Sequence, residues 1–338
     1  MDILIKSFNR AYYLDRCLYS IVEHVKNLDG KIIILDDGTP KVYLDKIILK
    51  YPNIYIEKSD FYQNKQEHSL NEKQLKEHKI PIDLWIKSAN IASENFLLIE
   101  DDSWFIDTVD FKELNQEIVD NNVVLTKLYW IGNSKINTNK ESILKKNIVI
   151  IKPKLYTIIP SLYYFIFYKF NRFKIRKLLQ FFKINTDDKR LAYYAIYATA
   201  GVIFNKNYFN KLWINHKNKV DENLQIYNAV KDYFKYKNKN KFAHYKKEVL
   251  RTGFISSATN QFKESFKGNI DMFVFNKILN DAWFKNEFDT ISSLPYDINT
   301  EDVIAVLNCN KKCSSQDWMS WNDDFKNQYK SIGCLIDY

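Results

Sequence analysis

Ile32-Ile33-Ile34-Leu35-Asp36-Asp37-Gly38-Thr39 and, further along, Phe96-Leu97-Leu98-Ile99-Glu100-Asp101-Asp102 are the stretches whose reading decides the fold. Each is a short apolar run that ends in acid. Four apolar residues in succession suit a strand in the middle of a parallel sheet covered on both faces. Carboxylates just past such strands sit along the C-terminal edge of the sheet, where open α/β folds hold their ligands. Two acidic edges of this kind point to one site that binds a nucleotide and a metal.

Working back toward the N-terminus, Asp2-Ile3-Leu4-Ile5-Lys6-Ser7-Phe8-Asn9-Arg10-Ala11-Tyr12-Tyr13-Leu14 reads as strand, turn and helix start. Leu14, Cys17, Leu18, Ile21, Val22 and Val25 then recur at the three- and four-residue spacing of a helix packed on a sheet. The next strand is the one that ends in Asp36-Asp37. Strand, helix and strand within about forty residues make a right-handed βαβ unit.

The pattern Ser7-Phe8-Asn9-Arg10-Ala11 with Tyr13-Leu14, then Leu35-Asp36-Asp37-Gly38-Thr39, then Ile99-Glu100-Asp101-Asp102, resembles the family 2-like glycosyltransferases of the GT-A fold in order and spacing. The likeness covers roughly residues 1–105 and, more weakly, 195–260. It implies an α/β fold of GT-A type: a Rossmann-like, mixed and mostly parallel sheet flanked by helices, with helical additions. It also implies transfer of a sugar from a nucleotide-diphosphate donor, UDP-sugar favoured, to a glycan, lipid-linked or protein acceptor, with inversion at the anomeric carbon.

In the turn after the first strand, Ser7, Phe8, Asn9 and Arg10 are expected at the donor. Phe8 is placed to stack on a planar base, and stacking gives affinity more than selectivity. A carboxylate at Asp36 or Asp37 can accept from a base N–H, which favours uracil or guanine, and Gly38 would permit the close turn beneath the ligand. Without a ligand, Asp37-Gly38 reads simply as a tight turn. Arg10 and Lys87 are candidate phosphate partners, and Asn90 lies on the segment that leads into the acidic strand, where the family approaches its donor.

Glu100-Asp101-Asp102 stands where the family carries its Asp-x-Asp motif, and the resemblance makes Asp102 the leading metal ligand. Glu100 replaces the usual first acid, and Asp101 is positioned to share its role. Oxygen ligands on a hard cation suit Mn²⁺ or Mg²⁺, which keep substrate phosphates in the shell and neutralise the departing diphosphate. An inverting transfer also needs a base for the acceptor hydroxyl. Ala198-Thr199-Ala200-Gly201-Val202-Ile203-Phe204 resembles the family's small-residue strand before the acceptor helix, and Asp221-Glu222 is the acidic pair that follows. Asp221 reads equally well as a helix N-cap.

The 338 residues can form one enlarged α/β domain, and 46% hydrophobic with 16% aromatic residues supplies ample core and argues against disorder. The resemblance implies a division of the chain into 1–130 (nucleotide-sugar half), 131–194 (an aromatic and basic insertion), 195–261 (acceptor half) and 262–338 (a mostly helical extension). Asn133 to Asn147 is expected as a loop or short hairpin. Trp283, Trp318 and Trp321 are available for packing or for stacking a sugar.

The net charge of +9 invites a nucleic-acid partner, but the lysines are dispersed and no recognised nucleic-acid module is visible, so none is expected. The basic, aromatic stretch 152–183 is too short to span a bilayer and reads as a buried helical lobe or a peripheral membrane contact. The opening strand leaves no signal segment, and four cysteines without a framework suit reduced thiols, so a cytoplasmic protein is expected, with the inner membrane face as an alternative. The Lys-, Asn- and Ile-rich composition is associated with bacterial surface-glycan synthesis. Three rivals stay open. A retaining GT-A enzyme shares the donor half. A nucleotidyltransferase would show a glycine-rich loop, which Ser7-Phe8-Asn9-Arg10 lacks. A basic scaffold on lipid or polyanion would bind no nucleotide.

Overall fold

Apolar residues alternate between two cores in every central strand, and this alternation builds the sheet. In the computed structural model, which describes residues 1–70, 79–168, 186–237, 239–310 and 312–336, β1 (Asp2–Ser7) lies between β3 (Ile32–Asp36) and β5 (Asn95–Glu100). Ile3, Ile5, Ile34, Leu97 and Ile99 enter one core, while Leu4, Ile33, Leu35, Phe96 and Leu98 enter the core on the opposite face. Continuous apolar runs are what strands buried on both faces require.

The central sheet has nine strands in the order β4-β3-β1-β5-β11-β8-β12-β10-β9. Here β4 is Ile54–Lys58, β8 Val123–Lys127, β9 Asn139–Leu144, β10 Ile148–Pro153, β11 Val202–Asn205 and β12 Lys241–Tyr245. Only β10 and β11 run against the other seven. The chain builds outward from β1 through α1 (Ala11–His24), β3, α2 (Lys41–Lys50) and β4, then returns to β5 on the other side of β1. That reversal is a topological switch point, and it opens a crevice at the C-terminal ends of β1 and β5. The register pairs Ser7 with Asp36 and Lys6 with Glu100 along this edge.

The first helix departs from the amphipathic pattern. Its polar residues Asp15, Arg16 and Ser20 are buried along with its apolar ones, while Val22 is exposed and Val25 belongs to a short strand. The cause is the C-terminal region, whose helices Met272–Phe284, Thr300–Asn308 and Ser315–Ser331 cover the outer face and join the same core as α1. Trp283, Trp318 and Trp321 are buried there as packing residues, the indole N–H of Trp283 donating to Asp15 and that of Trp318 to the Ile255 carbonyl. Arg16 is fully buried over the Trp104 ring at 4.3 Å and donates to the carbonyls of Thr290 and Tyr296 and to the Ser293 hydroxyl.

Within 131–194, β9 and β10 form a hairpin that extends the sheet, and every residue of β9 is exposed at its edge. Tyr163, Ile166 and Phe167 pack into the second core, whereas Tyr156, Ile159, Leu162 and Phe165 remain exposed. The remainder of the 152–183 stretch, from 169 onward, lies outside the described residues. Among the described residues no helix is long and apolar enough to cross a membrane.

Arg16→Met should lower the free energy of unfolding by about 2–3 kcal/mol, because the buried Thr290 carbonyl and the part-buried Tyr296 carbonyl lose a charged donor. Urea denaturation of the two proteins measures it, and an unchanged midpoint would show that these bonds are dispensable.

Candidate active site

A cavity of about 1250 Å³ opens at the switch point. The turn after β1 and the acidic end of β5 form its floor, with Ser7, Phe8, Arg10, Glu100, Asp101 and Asp102 in its lining. The backbone ties the two strand ends together: Asp101 N–H donates to the Lys6 carbonyl at 2.9 Å and Phe8 N–H to Asp101 Oδ2 at 3.1 Å.

Three consecutive carboxylates repel unless cations separate them. Lys6 Nζ lies 2.6 Å from Glu100 Oε1, and the Arg10 guanidinium bridges the other two, reaching Asp102 Oδ2 at 2.7 Å and pairing with Asp101 Oδ1. Lys6 holds the Glu100 carboxyl below its usual range against the effect of burial. Burial pushes Asp102 up to about 7; Arg10 opposes the shift, and Glu100 and Asp101 add to it. Burial alone would lower the pKa of Arg10, but the two aspartates outweigh it and the guanidinium stays charged. Several polar atoms here are buried with no hydrogen-bond partner among the described residues: Ser7 Oγ, Asn9 Nδ2, Arg10 Nε and Asp102 Oδ1. Such a concentration of unmet groups at one sheet edge marks a place built around a polar ligand.

The consecutive aspartates after β3 divide. Asp36 is fully buried, accepts from the N–H groups of Gly38 and Thr39 at 3.0 and 2.8 Å, and is pushed up to about 7 by burial. It shapes the turn and does not line the cavity, whereas Asp37 does. Asp37 accepts from Ser59 Oγ at 2.6 Å and pairs with Lys65 of the helix Tyr62–Leu70. Gly38, at φ 132°, serves that helix rather than a ligand: a Cβ there would stand 2.5 Å from Lys65 Cβ. Phe8 is buried with its ring edge-on to Phe273 at 6.0 Å.

Lys87 and Asn90 are exposed on the helix Ile82–Ile91 and outside the lining, Asn90 accepting from Asn210 at 2.7 Å; the same helix presents Trp85 to the cavity instead. Asp221 caps the helix Glu222–Tyr236 by accepting from Leu224 N–H at 3.0 Å. Glu222, the first residue of that helix, lines the cavity and accepts from the Tyr194 hydroxyl at 2.8 Å.

Among the described residues, no three His, Cys, Asp or Glu side chains group as a metal cage. A hard cation that shares its shell with a diphosphate and water needs only one or two carboxylates. The unpartnered Oδ1 of Asp102 fits that demand, while Asp101 spends its oxygens on Phe8 N–H and Arg10, and Glu100 is held by Lys6.

Much of the remaining wall comes from places without a sequence motif. Lys127 ends β8 and Tyr129 and Trp130 follow it, residues between Thr252 and Lys263 add to the lining with Gly253 N–H donating to the Asp102 carbonyl at 2.7 Å, and Phe325, Gln328 and Tyr329 come from the last helix. The small and polar run Ser256-Ser257-Ala258-Thr259-Asn260 carries a loop signal and nothing more specific. Lys127 is buried with only neutral acceptors, the Ile136 carbonyl at 3.2 Å and Asn137 Oδ1 at 3.0 Å.

The sheet order, with β3 and β4 on one flank of β1 and β5 followed by a reversed β11 on the other, gives the chain a GT-A-like fold. No family model and no curated protein sequence matches the chain. Among solved structures it is similar to TarS 1–349 of S. aureus, at 10% identity over 98% of this chain and 72% of that one, with a TM-score of 0.41. It is also similar to the bifunctional glycosyltransferase WbbM, at 12% identity over 97% and 51% of the two chains and a TM-score of 0.37. A third is glucosyl-3-phosphoglycerate synthase from Mycobacterium tuberculosis in complex with Mn²⁺ and UDP-glucose, at 11% identity over 62% and 57% with a TM-score of 0.31.

Burial lowers the Lys127 ammonium from its ordinary 10.5 to about 7. Between those values the unfolded chain binds a proton that the folded protein does not, so this group makes stability rise with pH across that window. Lys127→Met should flatten the rise, read as Tm against pH for both proteins; parallel curves would show that Lys127 titrates normally.

Proposed function

We propose that this protein is a glycosyltransferase that uses a nucleoside-diphosphate sugar, with UDP-sugar favoured, and transfers the sugar with inversion to an acceptor hydroxyl. The observation that supports this reading best is that the Arg10–Asp102 pair and the Glu222 carboxylate line one cavity. Asp37 would accept from the base N–H, and Phe8 would close the nucleoside end. The unmet Ser7 Oγ and Arg10 Nε would turn to the diphosphate, whereas Asn9 is buried outside the lining. Asp102 Oδ1 would hold Mn²⁺ or Mg²⁺ against that diphosphate, where the cation offsets charge on the leaving group.

In the transfer, Glu222 takes the proton of the acceptor hydroxyl as its oxygen bonds to the anomeric carbon. The bond from that carbon to the diphosphate oxygen breaks on the opposite face, and its electrons leave with the nucleoside diphosphate. Tyr194, donating to Glu222, fixes the carboxylate toward the cavity. Asp221 supports the same step indirectly by capping the helix that carries Glu222. The acceptor sits on a glycan, a lipid-linked precursor or a protein, and a cytoplasmic location suits the donor.

A thermal-shift panel of UDP, GDP, CDP and dTDP, with and without Mn²⁺, tests the donor half. One nucleotide is expected to raise Tm in a metal-dependent way, and Asp102→Asn to abolish the metal effect; no shift with any nucleotide would remove the basis of the proposal. Glu222→Gln should keep the nucleotide shift while lowering acceptor-dependent transfer about a hundredfold or more. An unchanged rate would move the base elsewhere, and the anomeric configuration of the product separates inversion from retention.

A further inference from the structure

Trp130 sits where an aromatic residue is costly to place. Its backbone is left-handed, at φ 52°, a region that bulky side chains avoid and that clusters at ligand-binding sites when it persists. The turn is held deliberately: the Trp130 carbonyl accepts from Asn133 N–H at 3.1 Å and from the Asn137 side chain, and Ile131 N–H donates to Glu248 at 3.3 Å. The result is a half-buried indole stacked on Tyr129, with centroids 4.6 Å apart and planes at 26°, and flanked by Tyr329 at 5.6 Å. Gly201 makes room for this stack, since a Cβ there would stand 2.1 Å from the Tyr129 ring. The Trp130 indole N–H is buried and has no partner among the described residues. All three rings line the cavity that holds Asp102 and Glu222, with Gln328 and Asn260 beside them.

The sheet order locates this cluster relative to the donor. Asp37 follows β3 and Trp130 follows β8, with β1, β5 and β11 between them. Four strand spacings separate the two ends by about 19 Å. Asp102, at the end of β5, lies between. A donor with its base at Asp37 and its diphosphate at Arg10 and Asp102 therefore directs its anomeric carbon toward the β8 side. Tyr329 lines the same cavity as Asp102 and Glu222. A flat aromatic surface edged by amide and carboxylate groups matches a pyranose, whose C–H face is apolar and whose rim is hydroxyl.

We propose that Trp130, backed by Tyr129 and Tyr329, is the platform for a pyranose ring of the acceptor, so that the acceptor is a glycan or glycoside. This rests on the transferase reading above and adds the class of acceptor to it. The cavity wall supplied by the last helix is then part of the acceptor site.

Saturation-transfer NMR with a panel of methyl pyranosides and β-linked disaccharides, in saturating UDP, tests the platform. Wild type should bind at least one of them. Trp130→Gly should weaken that sugar roughly ten- to hundredfold, the effect of losing one stacked ring, while its Tm falls because the indole packed against the core is lost. Tyr329→Ala, which leaves the 130 turn intact, should weaken the same sugar about tenfold, and Trp130→Phe should retain most of the binding. The UDP thermal shift should be the same in all four proteins. Equal sugar binding by wild type and Trp130→Gly overturns the proposal, as does failure of wild type to bind any sugar while UDP binds. Failure of UDP itself to shift the wild type strikes the donor reading first and the platform with it.

Discussion

Consecutive acids at the end of a buried strand cannot stay together unless neighbouring strands bring cations to them, and the central sheet is arranged around that requirement. Lys6 and Arg10, on and just after β1, are those cations, and the parallel register of β1 against β5 delivers them. A one-residue slip would turn Lys6 to the other face and leave Glu100 unpaired. Because each buried charge is met by another, the low-dielectric floor of the cavity tolerates three carboxylates in a row. The arrangement also leaves Asp102 with one oxygen still to satisfy.

The parts of the fold that could be read from the sequence are those written in local pattern. Unbroken apolar runs ending in acid gave β3 and β5 their place in the middle of a sheet, and the turn-and-helix pattern after residue 7 gave the βαβ unit. Pattern does not say which of two adjacent aspartates faces a ligand. Asp36 and Asp37 differ only because one is captured by the Gly38 and Thr39 amides. Gly38 illustrates the same limit, since the space it provides is taken by Lys65 from a helix more than twenty residues away. Lys87 and Asn90 lie on a helix whose cavity-facing position is taken by Trp85 instead.

What lay outside the reach of sequence is nearly all long-range. The polar stripe of α1 looks like a solvent face until residues from 276 to 297 are folded over it. Three tryptophans near the C-terminus look available for a ligand, and packing uses all of them. Trp130 carries no signal, because its meaning lies in a backbone conformation and in rings supplied from positions 129 and 329. Both walls of the cavity thus join segments that are distant in the chain.

The bonds from Arg16 to Thr290 and Tyr296 have a consequence for how the protein is made. They close loops of 274 and 280 residues, so Arg16 gains these two carbonyl partners only after residues 290 to 296 have been synthesised and folded back. Closing so long a loop costs little more than closing a moderate one, but it must wait for synthesis. During that interval a charged side chain and the apolar face around Trp104 stay open to solvent. A nascent chain of this design depends on time, and on whatever shields that face, before α1 can be finished by residues 274 and 280 positions further along the chain.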